Sequence, residues 1–402
     1  MRVVVVGAGL AGLAAADSLA AAGHEPVVLE ARDRVGGRVY SRPLENGAVV
    51  EMGAEFILPG CEEVLGLAGR LGLGLWDKGM RYGEREPRGV EVPAGSMEAA
   101  VAAIDAALTA GAGEGRSVRG LLERLDVAPG AREAILARAE VSAAADGDLV
   151  PAHELGLLAR VSDLPAPGIA GGNQLLAEAI ADAVGRERIH LGSPVRSVSV
   201  TGDRVDVRTD SGELAADACV LAVPASVAGG IELAGVPGAA EALAAVAYGH
   251  AAKLFVPLPA PVPVSATLAV PDRYWAWTAS GDDESASQPL VSAFAGSPAA
   301  LEGLAVTSGP DLWAAKLAEL RPDLGIDPSR AVLSTWDDDP WVGAAYSVDA
   351  PAAAVEVLTG PRERIAFAGE HLGGEMSALM EGAIRSGRRA AAALAAPGAP
   401  VV

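Results

Sequence analysis

Residues 2–30 read RVVVVGAGLAGLAAADSLAAAGHEPVVLE, and this stretch decides the fold. The valine run over residues 2–6 is typical of a strand that is buried on both faces, as in a parallel sheet. Residues 10–22 are rich in alanine and leucine, and they predict a helix that ends at Gly23. Residues 26–30 predict a second strand. Strand, glycine turn, helix and strand in this order indicate the start of a parallel α/β sheet.

The turn after the first strand carries the pattern G-x-G-x-x-G at residues 7–12. Gly7 permits a tight turn, Gly9 lets backbone amides approach a pyrophosphate, and Gly12 lets the helix pack closely on the sheet. The helix N-terminus attracts phosphate, and Glu30 is placed to accept hydrogen bonds from ribose hydroxyls. An ordinary glycine-rich turn beside a solvated glutamate is the disfavoured alternative. The predicted dinucleotide site contains Gly7, Gly9, Leu10, Ala11, Gly12 and Glu30.

Composition excludes several classes of protein. The 402 residues are 50% hydrophobic, which suffices for a sizeable core and rules out disorder and small disulfide-bonded scaffolds. A net charge of −21 would repel phosphate backbones and anionic membranes, so no nucleic-acid or membrane partner is predicted. Cys61 and Cys219 lie far apart without metal-type spacing, so we predict no metal site and a reducing, cytoplasmic location.

Three further stretches have ordinary interpretations. Residues 1–22 imitate a secretion signal, but three glycines and Asp17 interrupt the apolar run. Every other apolar stretch is interrupted by proline, glycine or charge before it reaches the length of a membrane span. The acidic runs at residues 282–284 and 337–339 lack metal-loop spacing, so we predict solvated loops there.

Residues 30–38 read EARDRVGGR and resemble the FAD-dependent amine oxidase family, which includes polyamine oxidases, protoporphyrinogen oxidases and related desaturases. In that family the glutamate, the paired glycines and the arginine wrap the ribose and pyrophosphate of FAD. The resemblance therefore implies that Glu30, Ala31, Gly37 and Arg38 bind FAD. An arginine suits this position because its guanidinium can fork onto phosphate oxygens.

Further segments resemble parts of the family that surround FAD. Residues 51–56 resemble the segment beneath the flavin ring, and Val195 matches the position whose backbone faces the adenine. Residues 336–346 resemble the segment that crosses the flavin face. Residues 367–370 and 380–387 resemble the C-terminal signature, whose helix points its N-terminus at the flavin. The resemblance implies FAD contacts from Met52, Gly53, Ala54, Glu55, Val195, Trp336, Gly369, Glu370, Leu379, Met380 and Ala383.

The predicted fold class is α/β, with a discontinuous, FAD-binding, Rossmann-like domain and a substrate domain of mixed sheet plus helices. Helices are predicted over residues 96–141, 173–184, 311–320 and 378–394, and strands over residues 194–201, 204–210, 218–224 and 364–368. Residues 83–95, rich in glycine, proline and arginine, suggest a domain crossing. The predicted FAD domain comprises residues 1–85, 171–246 and 347–402, and the predicted substrate domain comprises residues 86–170 and 247–346.

Lys253 is the candidate catalytic residue. The chain has three lysines, and this one lies in an apolar strand that follows the FAD-binding segments. It resembles the family's lysine, which holds a water against the reactive flavin nitrogen and assists reoxidation by oxygen. A buried cation beside reduced flavin would stabilise developing superoxide through its charge. The alternative is a lysine whose stem packs while its charged end reaches water.

The candidate substrate pocket has one family feature and three departures. Tyr346 falls where monoamine oxidases place one wall of an aromatic sandwich around the amine, but Leu379 stands at the opposite wall. Phe56 stands where the L-amino-acid-oxidase branch has an arginine for the substrate carboxylate, which disfavours an α-amino acid. Ala345 stands at the cysteine that tethers flavin in monoamine oxidases, so the resemblance implies noncovalent FAD. Phe56, Tyr346 and Leu379 are the predicted substrate residues.

Four other side chains have two interpretations each. Trp275 and Trp277 are two residues apart on a predicted strand and therefore lie on one face. They would either line a substrate cavity or fill a core. His250 and His371 lie near flavin-lining motifs, without the partner pattern of a nucleophilic triad, and are candidate polar groups of the pocket.

The predicted function is an FAD-dependent oxidase that removes hydride from the C–N bond of an amine. The resulting imine hydrolyses to an aldehyde, and oxygen is reduced to hydrogen peroxide. The predicted partners are a small-molecule amine and molecular oxygen, with no particular oligomeric state indicated. Two alternatives stay open: a flavin-dependent desaturase or iminium-forming cyclase on the same fold, and a non-catalytic flavoprotein that serves as a binding module.

Overall fold

The computed structural model describes residues 1–81, 84–158, 165–281, 287–360, 362 and 364–395 of the protein. The predicted loop at residues 282–284 lies outside these ranges. Within them, no helix combines the length and the apolar character that crossing a membrane requires. In the same ranges, no three histidine, cysteine, aspartate or glutamate side chains come together to hold a metal ion.

Within the described residues, the strands build a five-stranded parallel sheet, a six-stranded mixed sheet, a four-stranded sheet and three two-stranded ribbons. In chain order they are β1 Arg2–Val6, β2 Glu25–Leu29, β3 Ser41–Pro43, β4 Val49–Glu51, β5 Leu75–Trp76, β6 Glu86–Arg88, β7 Gly168–Ile169, β8 Ile189–His190, β9 Val195–Thr201, β10 Arg204–Thr209, β11 Gly212–Ala216, β12 Ala218–Leu221, β13 Glu232–Ala234, β14 Ala247–Tyr248, β15 Ala251–Pro257, β16 Ser265–Ala269, β17 Tyr274–Thr278, β18 Leu290–Gly296, β19 Val332–Thr335, β20 Ser347–Asp349 and β21 Ile365–Phe367.

The helices flank both large sheets. In chain order they are α1 Leu10–Ala21, α2 Glu62–Arg70, α3 Ser96–Thr109, α4 Val118–Leu122, α5 Pro129–Ala143, α6 Leu155–Leu158, α7 Gln174–Val184, α8 Ala225–Ala228, α9 Ala239–Ala244, α10 Pro298–Gly303, α11 Asp311–Leu320, α12 Ala352–Thr359 and α13 Met380–Ala395.

The five-stranded parallel sheet has the order β21-β12-β1-β2-β8, with β1 at its centre. Val3 and Val5 pack into a core with α1, α7 and α13. Val4 and Val6 pack on the other side, into a second core with α9, α12 and the ribbon of β9, β10 and β11. Both faces of β1 are therefore buried, which explains why its sequence is a continuous β-branched run rather than an alternating one.

The six-stranded sheet has the order β19-β15-β18-β17-β16-β6 and is antiparallel except for the pairing of β6 with β16. Every residue of β15 is buried. Leu254 and Val256 pack against α10 and α11. Because side chains alternate along a strand, Lys253 points to the opposite face of this sheet, toward the parallel sheet.

The structure corrects two helix predictions. Residues 96–141 form the three helices α3, α4 and α5 rather than one helical run. Gly111 and Gly115 adopt left-handed backbone angles after α3, Ser117 caps α4 with its side chain, and Pro129 begins α5. The region from residue 247 to 346 contains α10 besides the predicted helix, and its start is marked by the capping residue Ser297 followed by proline.

Glu381 joins two helices that are distant in sequence. Its side chain is completely buried on α13, and its carboxylate accepts hydrogen bonds from the backbone N–H groups of Glu63 and Val64 at 3.0 Å. Arg385, one turn later on α13, donates to the same carboxylate at 2.7 Å. The first turn of α2 is thus capped from another helix, in place of a local capping side chain.

We expect Glu381→Ala to lower the free energy of unfolding by about 1.5–3 kcal/mol, because two buried backbone N–H groups lose a charged acceptor. Urea denaturation of the purified variant measures this loss. The control is Glu356→Ala, which removes an exposed glutamate from the surface of α12. Equal midpoints for the two variants would show that the cap contributes nothing.

Candidate functional site

A cavity of about 1080 Å³ lies between the parallel sheet and the six-stranded sheet. The residues that follow β1, β2, β12 and β21 all line it, so it opens at the carboxyl ends of the parallel strands, where ligands of such sheets bind. Strands β15, β17 and β18 form its far wall. The predicted residues that line it are Gly7, Gly9, Leu10, Ala11, Glu30, Ala31, Gly37, Arg38, Met52, Gly53, Ala54, Glu55, Phe56, Val195, Lys253, Trp336, Tyr346, Gly369, Glu370, Leu379, Met380 and Ala383.

The glycine turn between β1 and α1 is required sterically. Gly7 has a φ of +101°, and a β-carbon there would lie 2.8 Å from the carbonyl oxygen of Ala222. Gly12 does not line the cavity, but a β-carbon on it would lie 1.9 Å from the carbonyl oxygen of Gly7. A β-carbon on Gly9 would meet nothing within 4 Å, so this residue borders open space. Gly12 therefore lets α1 pack closely against the turn at Gly7, while Gly9 faces the cavity.

Glu30 lies at the end of β2 and is 5% exposed. One oxygen of its carboxylate accepts a hydrogen bond from the backbone N–H of Ala8 at 2.7 Å, and the other accepts one from the backbone N–H of Arg32 at 2.9 Å. These bonds hold the carboxylate at the cavity wall beside the glycine turn. Arg32 in turn pairs with Asp339 at 2.5 Å, so this residue of the acidic run at 337–339 is ion-paired, while Asp338 in the same turn is exposed, as the prediction of a solvated loop expects.

Arg38 and Glu370 form an ion pair of 2.9 Å at the cavity. Arg38 also donates to the carbonyl oxygen of Ala345 at 2.7 Å, while Glu370 accepts hydrogen bonds from Ser347 and from the backbone of Ala378. Burial would raise the pKa of Glu370, but the Arg38 charge and the Ser347 hydrogen bond, with smaller contributions, together outweigh burial, and the pKa lies below its usual value. The pair joins the N-terminal and C-terminal segments around the predicted cofactor site.

Lys253 lies beside the segment predicted to run beneath the flavin. Its ammonium group is buried and donates to the carbonyl oxygens of Glu51 and Gly53, at 2.6 and 3.1 Å, and to the Glu55 carboxylate at 2.5 Å. Desolvation lowers its pKa, although Glu55 opposes this effect. The alternative of a lysine that reaches water is therefore wrong.

Lys78 is a charged residue of this site that the sequence patterns did not indicate. It is 2% exposed, and its ammonium group lies 3.1 Å from the second oxygen of Glu55. It also lies over the rings of Trp76 and Phe56, at 4.3 and 5.4 Å from their centroids. Burial would raise the pKa of Glu55, but the two lysine charges outweigh it and lower the pKa. The scarcity of lysine in the chain was the available signal.

An aromatic wall lies next to the lysines. The indoles of Trp275 and Trp277 stack at 4.1 Å, and Phe56 lies 5.8 and 5.7 Å from them. Both tryptophans line the cavity, so they belong to its wall as well as to the local core. Tyr346 also lines it and donates its hydroxyl to the carbonyl oxygen of Ser142 at 2.7 Å, while Leu379 adds an aliphatic surface.

The two candidate histidines lie outside the cavity lining. His371 is buried, with Nδ1 3.3 Å from the Tyr248 hydroxyl, and burial lowers its pKa to about 4. It is therefore neutral at physiological pH. His250 is half-buried, and its Nδ1 lies 3.1 Å from the carboxylate of Asp337.

Helices α5 and α6 bring polar residues to the cavity that the sequence did not indicate. Arg138 and Ser142 lie one turn apart on α5, and Glu154 precedes α6. They come from a part of the chain in which the sequence analysis found no family motif, so no motif pointed to them. Arg138 and Glu154 thus add one positive and one negative side chain to the cavity lining.

Comparison with known sequences gives several amine oxidases as relatives. A family profile described as flavin containing amine oxidoreductase matches residues 10–125 and 121–395. Putrescine oxidase of Kocuria rosea is 33% identical over 241 residues, which is 50% of this chain and 50% of that protein. The flavin-containing amine oxidase B of Homo sapiens is 48% identical over 71 residues, 18% of this chain and 14% of its own. The aligned part thus spans half or less of these relatives.

Solved structures match over almost the whole chain. Wild-type putrescine oxidase bound to putrescine superposes with a TM-score of 0.81 and 22% identity, covering 98% of both chains. Cyclohexylamine oxidase from Brevibacterium oxydans IH-35A superposes with a TM-score of 0.80 and 22% identity, again covering 98% of both chains. At this identity the likeness confirms the predicted α/β fold. Because the family profile covers most of the sequence, this chain belongs to the flavin-containing amine oxidoreductase family.

Proposed function

We propose that this protein is an FAD-dependent amine oxidase that holds FAD noncovalently, oxidises a C–N bond of a small amine and returns the electrons to oxygen. One observation carries the proposal. A single cavity joins the glycine turn of a dinucleotide site to a buried lysine cluster and an aromatic wall. The names of the relatives, putrescine oxidase and cyclohexylamine oxidase, support an amine as the substrate class.

The residues around the glycine turn fit a dinucleotide. Gly9 leaves open space at the N-terminus of α1, and no side chain caps that helix, so its first N–H groups are available to a pyrophosphate. Glu30 is held as an acceptor for ribose hydroxyls, and Glu370 with Arg38 lies further along the wall. We propose these residues, together with the other predicted FAD contacts, as the cofactor site.

Bound FAD would supply the oxidising chemistry, by accepting hydride from the substrate carbon and passing electrons to oxygen. The chain provides the surroundings. Trp275, Trp277, Phe56 and Tyr346 would desolvate the amine, which favours its neutral, oxidisable form because burial without a counter-ion disfavours ammonium. Lys253 would place a fixed positive charge beside the segment that carries Gly53, where negative charge develops.

One relative that aligns over a short stretch makes a desaturase the second candidate function. The 15-cis-phytoene desaturase of Arabidopsis thaliana is 44% identical over 73 residues, 18% of this chain. That likeness covers only a small part of the sequence, so it supports the desaturase less than the longer match to putrescine oxidase supports the amine oxidase. A desaturase would act on a carbon skeleton instead of a C–N bond.

Acid precipitation should release FAD into solution, because Ala345 offers no thiol at the position where the resemblance places a flavin tether. The measurement is the flavin absorbance of the supernatant after the protein is precipitated and removed. Flavin that remains with the denatured chain would contradict noncovalent binding. Cys61 and Cys219 are both buried, and burial raises the pKa of their thiols to about 11 and 12, so neither competes as a tether.

Purified protein should produce hydrogen peroxide when it is mixed with an amine that it oxidises. A peroxide assay across primary amines, diamines, secondary amines and amides tests this function, and carotenoid-like and porphyrin-like substrates test the desaturase. We expect peroxide with at least one amine and none with a matched alcohol. If only a hydrocarbon substrate reduces the flavin, the desaturase becomes the better proposal. If no compound reduces the flavin, a non-catalytic binding module becomes the better proposal.

Lys253→Met should slow reoxidation of reduced flavin far more than it slows anaerobic reduction by substrate. Loss of one preorganised cation near a developing anion costs about 2–4 kcal/mol of barrier, or about 30- to 1000-fold in rate. Methionine keeps the volume of the stem, so the packing loss is small. The measurement is stopped-flow mixing of photoreduced protein with aerated buffer.

The matched control is Lys316→Met, which removes a lysine that pairs with Asp272 at 2.7 Å, remote from the cavity lining. It should reoxidise at the wild-type rate. Equal rates for Lys253→Met and Lys316→Met would show that Lys253 has no part in oxygen reduction.

A further inference from the structure

The Glu55 carboxylate lies between two lysines that come from different parts of the chain. One oxygen is 2.5 Å from Lys253 on β15, and the other is 3.1 Å from Lys78, which follows β5. All three side chains are nine-tenths or more buried. A buried charge interacts strongly with its neighbours because little water screens it. The three groups therefore act as one electrostatic unit, which we call the lysine–glutamate cluster.

Lys253 has no spare donor in this arrangement. An ammonium group carries three N–H bonds, and the three acceptors of Lys253 are the carbonyl oxygens of Glu51 and Gly53 and the carboxylate of Glu55. A further hydrogen-bond partner would have to replace one of them. The contribution of Lys253 to the cavity is therefore mainly its charge, and Glu55, at 2.5 Å, neutralises much of that charge.

Lys78 gives the cluster a net positive charge. Lys253 and Glu55 alone sum to zero, and the second lysine leaves the cluster with one net positive charge. Lys78 does not itself line the cavity, so it acts on that space through Glu55. The rings of Trp76 and Phe56 enclose its ammonium group and keep the electrostatic interaction in a dry environment.

Glu51 is a further titratable group that faces the cluster. Its buried carboxyl accepts hydrogen bonds from the Ser41 hydroxyl at 2.6 Å and from the backbone of Asn173 at 2.7 Å. Burial raises the pKa of Glu51, which favours its uncharged form, although Lys78 opposes the shift. In either form of Glu51, loss of the Lys78 charge makes this group of side chains more negative by one unit.

We propose that Lys78 is a positioning residue that acts through Glu55 to keep the cluster net positive, and thereby raises the reduction potential of the bound flavin. This inference rests on the proposed function, since it needs FAD in the cavity next to Gly53 and Lys253. Reduced flavin carries more negative charge than oxidised flavin, so a net positive cluster stabilises it. Removal of the charge of Lys78 makes the flavin harder to reduce.

The test is the midpoint potential of the flavin in the purified holoprotein, measured by anaerobic reductive titration against a reference dye. Lys78→Gln removes the charge but keeps a donor for Glu55, and Lys78→Met removes both. We expect each to shift the equilibrium toward oxidised flavin by about tenfold, which is ~30 mV for a two-electron couple. Lys78→Arg keeps the charge and should stay within about threefold of the wild type.

Lys316→Met is the matched control and should leave the potential unchanged. Wild-type potentials in both neutral variants would overturn the proposal, and so would a tenfold shift in Lys78→Arg, since that shift would follow packing rather than charge. If one neutral variant does not fold, the potential of the other neutral variant decides. A wild-type protein that binds no flavin would contradict the proposed function itself, which is a separate result.

Discussion

The pairing of buried charges holds the site of this protein together. An isolated charge inside a protein is strongly unfavourable, so each buried ion must find a partner of opposite sign. Arg38 and Glu370 are separated by 332 residues in sequence and meet at 2.9 Å. Lys253 and Glu55 are separated by 198 residues and meet at 2.5 Å. Each pair forms only when distant segments come together around the cavity, so the folded chain and the site depend on the same contacts.

These ion pairs lie between the parallel sheet and the six-stranded sheet, which present different chemical groups to the cavity. The parallel sheet presents strand ends, a glycine turn and the uncapped start of α1, which together suit an anionic dinucleotide. The six-stranded sheet presents stacked indoles and a buried lysine, which suit an apolar amine and a reaction that develops negative charge. An amine oxidase needs both surfaces to face one space, and the cavity provides that space.

The structure of the first thirty residues could be predicted from the sequence because the patterns that determine it are local. A buried strand, a glycine turn and a glutamate at the next strand end are all encoded within one continuous stretch. The breaks between α3, α4 and α5 were also marked locally, by Gly111, Gly115 and Pro129. Lys78 and Arg138 could not be found in this way. Their places depend on which segments meet across the cavity, and no periodicity or spacing in the sequence records that.

The division into two domains and the individual roles of the site residues stay predictions, and they share one premise. That premise is that an amine delivers its electrons to FAD within this cavity. Anaerobic single-turnover mixing of the purified protein with an amine tests it most directly, with the visible flavin absorbance followed in time and the product identified. We predict that the absorbance bleaches and that one aldehyde forms for each flavin. Flavin that dithionite bleaches but that no amine bleaches would contradict the account.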